Sequence, residues 1–293
     1  MKLLITGCKG QLGRQLLKIL QQGHSQLGEL PAAYAGCEVA GIDLEDLDLS
    51  DLAAVKRTLE DCRPDVVINC AAYTKVDQCE IDQDAAYAAN ALAPRNLAMV
   101  CDGLGAKLVQ VSTDYVFPGV GNVPYREYDR PGPVSVYGKT KLMGEEFVQR
   151  FCPRSFVVRT AWLYGDVGGN FVRAILKRAR EEGKIRVVDD QRGNPTYAED
   201  LAHHLLLIAL TEEYGIYHCT GSGECSWYEF ACAIVEEAGV PCEKEAITTA
   251  QLGRGANRPA YSSLEHMMLR LTVGDRMRPW REALRAFIAS QEV

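Results

Sequence analysis

The sequence predicts an α/β fold built on a doubly wound parallel sheet, with a smaller C-terminal α/β lobe. Three observations predict it. Short apolar runs alternate with amphipathic stretches from the first residue onward, which is the pattern of repeated strand–helix–strand units. The first run, Lys2–Thr6, leads into a glycine-spaced segment (Gly7, Gly10, Gly13) that opens a helix. The stretch Asp65-Val-Val-Ile-Asn-Cys-Ala71 is a continuous apolar strand of the kind buried on both faces. Crossovers between such strands are right-handed.

The elements follow in order. Residues 11–21 place Leu12, Leu16 and Leu20 on one helical face. Residues 38–43 read as a second strand, and the segment 23–36 before them as a loop insertion. Ser50 is the expected cap of a helix carrying Leu52, Val55 and Leu59 on one face. After the strand at 65–71 come a helix over 84–104, a strand over 107–112, a helix over 135–151 and a strand at Ser155–Thr160. The alternation then loosens: helix over 170–182, strand at Lys184–Val188, helix over 199–210 and strand over 215–219. Ser226-Trp-Tyr-Glu229 is a capping box opening a further helix, and the last helix covers 280–288. The expected organisation is a Rossmann dinucleotide-binding domain over 1–160, with returning elements near 184–219, and a mainly substrate-binding lobe over 161–293.

The 293 residues are 47% hydrophobic and 24% charged, an ordinary globular composition. A net charge of −7 argues against a nucleic-acid partner, which needs a basic stripe. No apolar run approaches the about 20 residues that span a bilayer, and the N-terminus lacks a secretory pattern. The expectation is a cytoplasmic protein with no membrane partner. Eleven cysteines, none at C-x-x-C spacing, read as free and mostly buried thiols. Five histidines (His24, His203, His204, His218, His266) show no ligand spacing and read as structural. No metal site is expected.

Gly7, Gly10 and Gly13 can seat a dinucleotide. Gly7 permits a tight turn, Gly10 lets the backbone approach a phosphate, and Gly13 lets the helix pack closely. The helix N-terminus adds free N–H groups and a positive dipole end. Asp43, at the end of the second strand, can bind ribose hydroxyls, and it favours NAD; Lys9, inside the glycine loop, can instead meet a 2′-phosphate. NADH and NADPH both stay open. Asp48 and Leu49 read either as flanks of the adenine or as a helix-entry acid and a core residue.

A second group suggests proton transfer. Tyr137 and Lys141 are four apart on one helical face. A lysine ammonium nearby lowers a tyrosine pKa from its usual value of about 10. Thr113, at a strand end, can hydrogen-bond a substrate oxygen beside Tyr137. Ketone reduction needs hydride at carbon and a proton at oxygen, and these residues can supply the proton.

These stretches resemble the dTDP-4-dehydrorhamnose reductase family of the extended short-chain dehydrogenase/reductase superfamily. The resemblance rests on Leu4-Ile-Thr-Gly-Cys-Lys-Gly-Gln-Leu-Gly13, Arg63-Pro-Asp-Val-Val-Ile-Asn-Cys-Ala-Ala-Tyr-Thr-Lys-Val-Asp77 and Ser112-Thr-Asp-Tyr-Val-Phe-Pro-Gly119. It continues in Val136-Tyr-Gly-Lys-Thr-Lys-Leu-Met-Gly-Glu145 and Arg258-Pro-Ala-Tyr-Ser262, and covers almost the whole chain. It implies NADPH- or NADH-dependent reduction of a 4-keto group on a nucleotide-sugar substrate. Tyr137 would be the proton donor and Lys141 its partner. Thr113 and Asp114 would hold the sugar, with Val76, Trp162 and Arg258 in the substrate pocket and Arg258 on the nucleotide phosphates. Gly10, Gln11 and Leu12 would line the pyrophosphate, and Ala72, Tyr73 and Thr74 would face the cofactor. Some relatives bridge a dimer through magnesium with a Glu where this chain has Gln15, which cannot supply that charge, so either a monomer or a homodimer is expected. Beyond Ser262 the run Ser263-Leu264-Glu265-His266 departs from the family's usual Leu-Asp or Leu-Asn.

Two other readings share the pattern. One is another NDP-ketosugar reductase or epimerase of the superfamily; a dehydratase is disfavoured because Thr113 is followed by Asp114-Tyr115 rather than by an Asp-Glu pair. The other is a non-catalytic, cofactor-binding regulatory subunit resembling the methionine adenosyltransferase β subunit.

Overall fold

The computed structural model describes residues 1–253 and 255–291. Its centre is a six-stranded sheet of β1 (Lys2–Thr6), β2 (Glu38–Ile42), β3 (Val66–Asn69), β4 (Lys107–Thr113), β5 (Ser155–Thr160) and β6 (Gly215–His218), in the order β6-β5-β4-β3-β1-β2. Every neighbouring pair is parallel. The strand order reverses between β1 and β3. The loops leaving the carboxyl ends of these two strands therefore diverge and open a crevice, the usual ligand position in such sheets.

Helices cover both faces. On one lie α1 (Gln11–Gln22) and α8 (Ala198–Ala209), with Leu16, Leu201 and Leu205 fully buried among them. On the other lie α2 (Leu52–Cys62), α5 (Ala93–Leu104) and α6 (Val136–Phe151), enclosing Val55, Leu97 and Val148. A second apolar core gathers Val172, Ile175, Phe230, Ile234 and Phe287 from α7 (Phe171–Glu182), α9 (Trp227–Glu237) and the C-terminal helix Trp280–Ser290. Arg278, just before that last helix, is tied to the buried Asp200 of α8 by Nε to Oδ2 at 3.0 Å.

Four local expectations need correction. Lys184–Val188 is a strand, but it pairs with Glu243–Ile247 in a separate two-stranded sheet; of the strands near 184–219, β6 joins the main sheet, while α8 packs on its face. The segment 23–36 is not a plain loop. It holds a small hairpin (His24–Ser25 with Gly28–Glu29) and a 3₁₀ turn whose Tyr34 is buried and donates to the Leu206 carbonyl at 2.6 Å. The cap of α2 is Asp51, which accepts from Ala53 and Ala54, because the Ser50 hydroxyl is taken by Asp48 at 2.7 Å. The stretch expected as one helix over 84–104 is α4 (Gln83–Tyr87), a π-helical turn Ala88–Leu92 and then α5, and it is preceded by an unforeseen short helix α3 (Val76–Ile81). The Ser226 capping box is present, with Ser226 Oγ accepting from Glu229 N at 3.0 Å and Glu229 answering at 2.7 Å.

All eleven cysteines are free, and none is exposed. Among the described residues no helix is long and apolar enough to cross a membrane.

Leu16→Ala, which empties a fully buried position between α1 and α8, is expected to lower the free energy of unfolding by about 3 kcal/mol. Urea titration checks this, with a fall in midpoint at unchanged slope.

Candidate active site

The crevice at the ends of β1 and β3 is a cleft of about 500 Å³. Its lining includes Gly7, Gly10, Asp43, Asp48, Leu49, Ala72 and Tyr73, so the structure brings these expected residues together. Gly7 has φ +66°, and a Cβ there would lie 2.7 Å from Ala71 N, so β1 can end this close to the segment after β3 only without a side chain. A Cβ on Gly13 would lie 2.3 Å from the Gly7 carbonyl. That glycine seats α1 on its own loop rather than on the sheet. The N-terminus of α1 has no side-chain cap and no acidic residue in its first turn, unlike α2, α6, α7 and α9, which are all capped by side chains. Its leading N–H groups are thus open to an anion.

Gln11, Leu12 and Thr74 lie outside the lining. Gln11 Nε2 donates to the Leu163 carbonyl at 3.2 Å. The Leu12 side chain is in the core, so only its backbone can serve a pyrophosphate. Thr74 is exposed. Asp43 accepts from Lys9 N at 2.8 Å and from Leu44 N at 2.9 Å, which aligns the carboxylate at the strand end and leaves lone pairs for further donors. The Lys9 ammonium is paired with Glu45.

The cleft's far wall is a run of small residues, Ala85, Ala88, Ala89 and Ala93, which the sequence reading missed; the alanine-rich run 85–89 was the available signal. Asn90, buried in the π-helical turn, clamps Tyr73 by accepting from its N–H at 2.8 Å and donating to its carbonyl at 3.0 Å. Single π turns of this kind recur at functional sites.

Tyr137, Lys141 and Thr113 converge at the end of β4. Two glycines of α6 allow the approach. A Cβ on Gly138 would lie 2.2 Å from the Tyr115 carbonyl, and one on Gly144 would lie 2.2 Å from that of Asn90. Ser135 caps the helix through Gly138 N at 3.2 Å. Lys141 is 4% exposed, and its Nζ donates to the Val111 carbonyl at 2.7 Å. Burial lowers its pKa to about 8, against the opposing pull of Glu145.

The expected lowering of Tyr137 by Lys141 is not found. Tyr137 packs with Cys79, Ala86, Tyr73, Val76 and Tyr115. Burial in this apolar cluster raises its pKa well above the usual phenol value, with the Thr113 hydroxyl pulling weakly the other way. The ammonium is directed to Val111 instead, so Tyr137 is a neutral phenol at physiological pH. Thr113 Oγ1 donates to Asp114 Oδ1 at 3.0 Å. Asp114 is 2% exposed, and its other oxygen has no hydrogen-bond partner among the described residues. Burial raises this carboxyl to about 6, opposed by the hydroxyls of Ser262 and Thr113. A buried carboxylate oxygen left open beside a reactive hydroxyl pair is suited to a substrate hydroxyl.

Of the remaining expected residues, Trp162 packs against the second apolar core rather than in the Tyr137 cluster. Val76 opens α3 and packs in the Tyr137 cluster. Arg258 donates through Nη2 to Asp77 Oδ2 at 2.9 Å, which holds the C-terminal segment against α3. Trp162 has φ +46° and stacks on Trp227 with ring centroids 3.6 Å apart; Gly193, where a Cβ would meet the Trp162 ring at 2.8 Å, makes room for it. Gln15 Nε2 donates to the buried Glu199 at 3.2 Å. Among the described residues no group of three or more metal-ligating side chains occurs.

The model of the RmlD substrate binding domain matches residues 1–293. The chain belongs to the RmlD substrate binding domain family. A solved dTDP-4-dehydrorhamnose reductase from Clostridium acetobutylicum is 44% identical to this RmlD-family chain, with a TM-score of 0.94 and all of both chains covered. Another from Bacillus anthracis, solved in complex with NADP, is 39% identical with a TM-score of 0.92 over 99% of each chain. The spore coat polysaccharide biosynthesis protein SpsK of Bacillus subtilis is 42% identical over 98% of this chain and 96% of its own length.

Gly13→Ala is expected to weaken dinucleotide binding at least about tenfold, because the added methyl displaces the Gly7 turn. Calorimetric titration with NADH and NADPH checks it.

Proposed function

We propose that this RmlD-family chain is a dTDP-4-dehydrorhamnose reductase, reducing the 4-keto group of dTDP-4-dehydro-L-rhamnose to give dTDP-L-rhamnose at the expense of NADPH or NADH. The observation that carries the reading is the convergence of Thr113, Tyr137 and Lys141 beside a glycine-framed cleft, in a chain matched over its whole length by reductases of that name.

The residues present fit a dinucleotide. The uncapped start of α1 suits the pyrophosphate, Asp43 suits the adenosine ribose, and Asp48 and Leu49 flank the adenine end, while Ala72 and Tyr73 line the opposite wall. When bound, the nicotinamide supplies the hydride for the sugar carbon. Tyr137, held neutral by burial, donates the proton to the developing alkoxide. A phenol in its protonated form is what reduction calls for; a pre-formed tyrosinate would serve the reverse reaction. Lys141, its ammonium held at the strand end by the Val111 carbonyl, would hold the nicotinamide ribose beside Tyr137. Thr113 orients the carbonyl oxygen against Tyr137, and Asp114 accepts from a neighbouring sugar hydroxyl. Arg258, held at the edge by Asp77, meets the diphosphate, and Trp162 and Val76 wall the pocket.

Purified protein is expected to oxidise NADPH or NADH only when dTDP-4-dehydro-L-rhamnose is present, and Tyr137→Phe is expected to lower kcat by roughly a hundredfold to ten-thousandfold. Binding of cofactor without any oxidation, monitored at the reduced nicotinamide absorbance, sinks the assignment; oxidation with another NDP-ketosugar then favours the other superfamily enzyme, and none with any ketosugar favours the regulatory-subunit reading. The profile of kcat/KM against pH is expected to be bell-shaped. Activity falls below about 6 as Asp114 gains a proton and above about 8 as Lys141 loses one. Asp114→Asn removes the acid limb alone.

A further inference from the structure

A buried ion pair lies one helical turn beyond Lys141, and the chemistry above makes no use of it. Glu145 on α6 and Arg159 on β5 are each 1% exposed. Arg159 grips the carboxylate in a fork, Nε to Oε1 at 3.0 Å and Nη2 to Oε2 at 2.7 Å. Ser112 donates to Oε1 at 2.5 Å. The Phe117 ring covers the guanidinium at 5.0 Å, and His218 Nε2 lies 3.4 Å from Nη1.

Stability is a poor reason for these charges. Two desolvated ions recover little more than their cost of burial, and apolar side chains of similar volume hold such positions as well or better. Their placement suggests another reason. Ser112 stands between Val111, whose carbonyl holds Lys141 Nζ, and Thr113. The carboxylate thus fixes the same strand end that receives the ammonium. The charged and titratable groups around Lys141 are Glu145 and Tyr137 from its own helix and the Cys70 thiol after β3, with Arg159 from β5 behind the carboxylate. Burial favours loss of the Lys141 proton, and Glu145 is the main influence opposing it.

We propose that Glu145 is a positioning residue whose carboxylate, gripped by Arg159 and bonded by Ser112, holds in place the Val111–Thr113 strand end against which the Lys141 ammonium is docked. The catalytic meaning of this rests on the reductase reading; the effect on Lys141 does not. The test is a pH titration of ¹³Cε-lysine-labelled protein by NMR, with the Lys141 signal identified by its loss in Lys141→Met. In Glu145→Gln the Lys141 midpoint is expected to fall by about one pH unit, and the alkaline limb of kcat/KM is expected to fall with it. Glu145→Asp is expected to restore much of both. A folded Glu145→Gln protein with an unmoved Lys141 midpoint overturns the proposal. If Glu145→Gln does not fold, Ser112→Ala, which cuts the carboxylate's link to the strand end and leaves its pair with Arg159 intact, carries the same measurement. If the unaltered protein reduces no ketosugar, the reductase reading fails while the NMR midpoint still decides the role of Glu145.

Discussion

The site depends on how closely α6 lies against the ends of the neighbouring elements. Gly138 and Gly144 have backbone carbonyls where their Cβ atoms would be, one from Tyr115 and one from Asn90. With any side chain at either place the helix would stand off by an ångström or more. Tyr137 and Lys141 would then no longer reach the Thr113 strand end. Asn90 is fixed in turn by its clamp on Tyr73, so one close contact couples the cofactor wall to the proton-transfer group.

That dependence explains what the sequence made legible and what it did not. The alternation of strands and helices, the three-glycine loop and the Tyr137/Lys141 pair are local patterns, set by spacing along the chain, and each lies where its spacing places it. The π-helical turn, α3 and the pairing of Lys184–Val188 with Glu243–Ile247 depend on partners distant in sequence. Apolar periodicity carries no signal for a partner. The same holds at the site. Asp114, Arg258 and Trp162 were reached only through family resemblance. Asp77, Asn90 and the Glu145–Arg159 pair were given no role, because a polar residue within a helix, strand or loop shows no function until its partner is seen.

The correction at Tyr137 has the same origin. Helical spacing puts Lys141 on the same face as the phenol, and charge attraction then predicts a lowered pKa. The fold places Tyr137 among Cys79, Ala86 and Tyr73 and points the ammonium at Val111. Desolvation of the phenolate outweighs a cation held elsewhere. The outcome is a protonated donor and a nearby cation, the resting state that delivery of a proton requires.

The sixth strand has a consequence for how the chain acquires this structure. β6 completes the sheet on the outer edge of β5, yet it is synthesised only after α7 and α8. Until residue 218 emerges, β5 presents an unpaired parallel edge, open to the wrong partner. The nucleotide-binding half therefore cannot finish folding before part of the second half exists. A chain truncated near residue 160 is an incomplete sheet with an exposed apolar flank rather than an independent module.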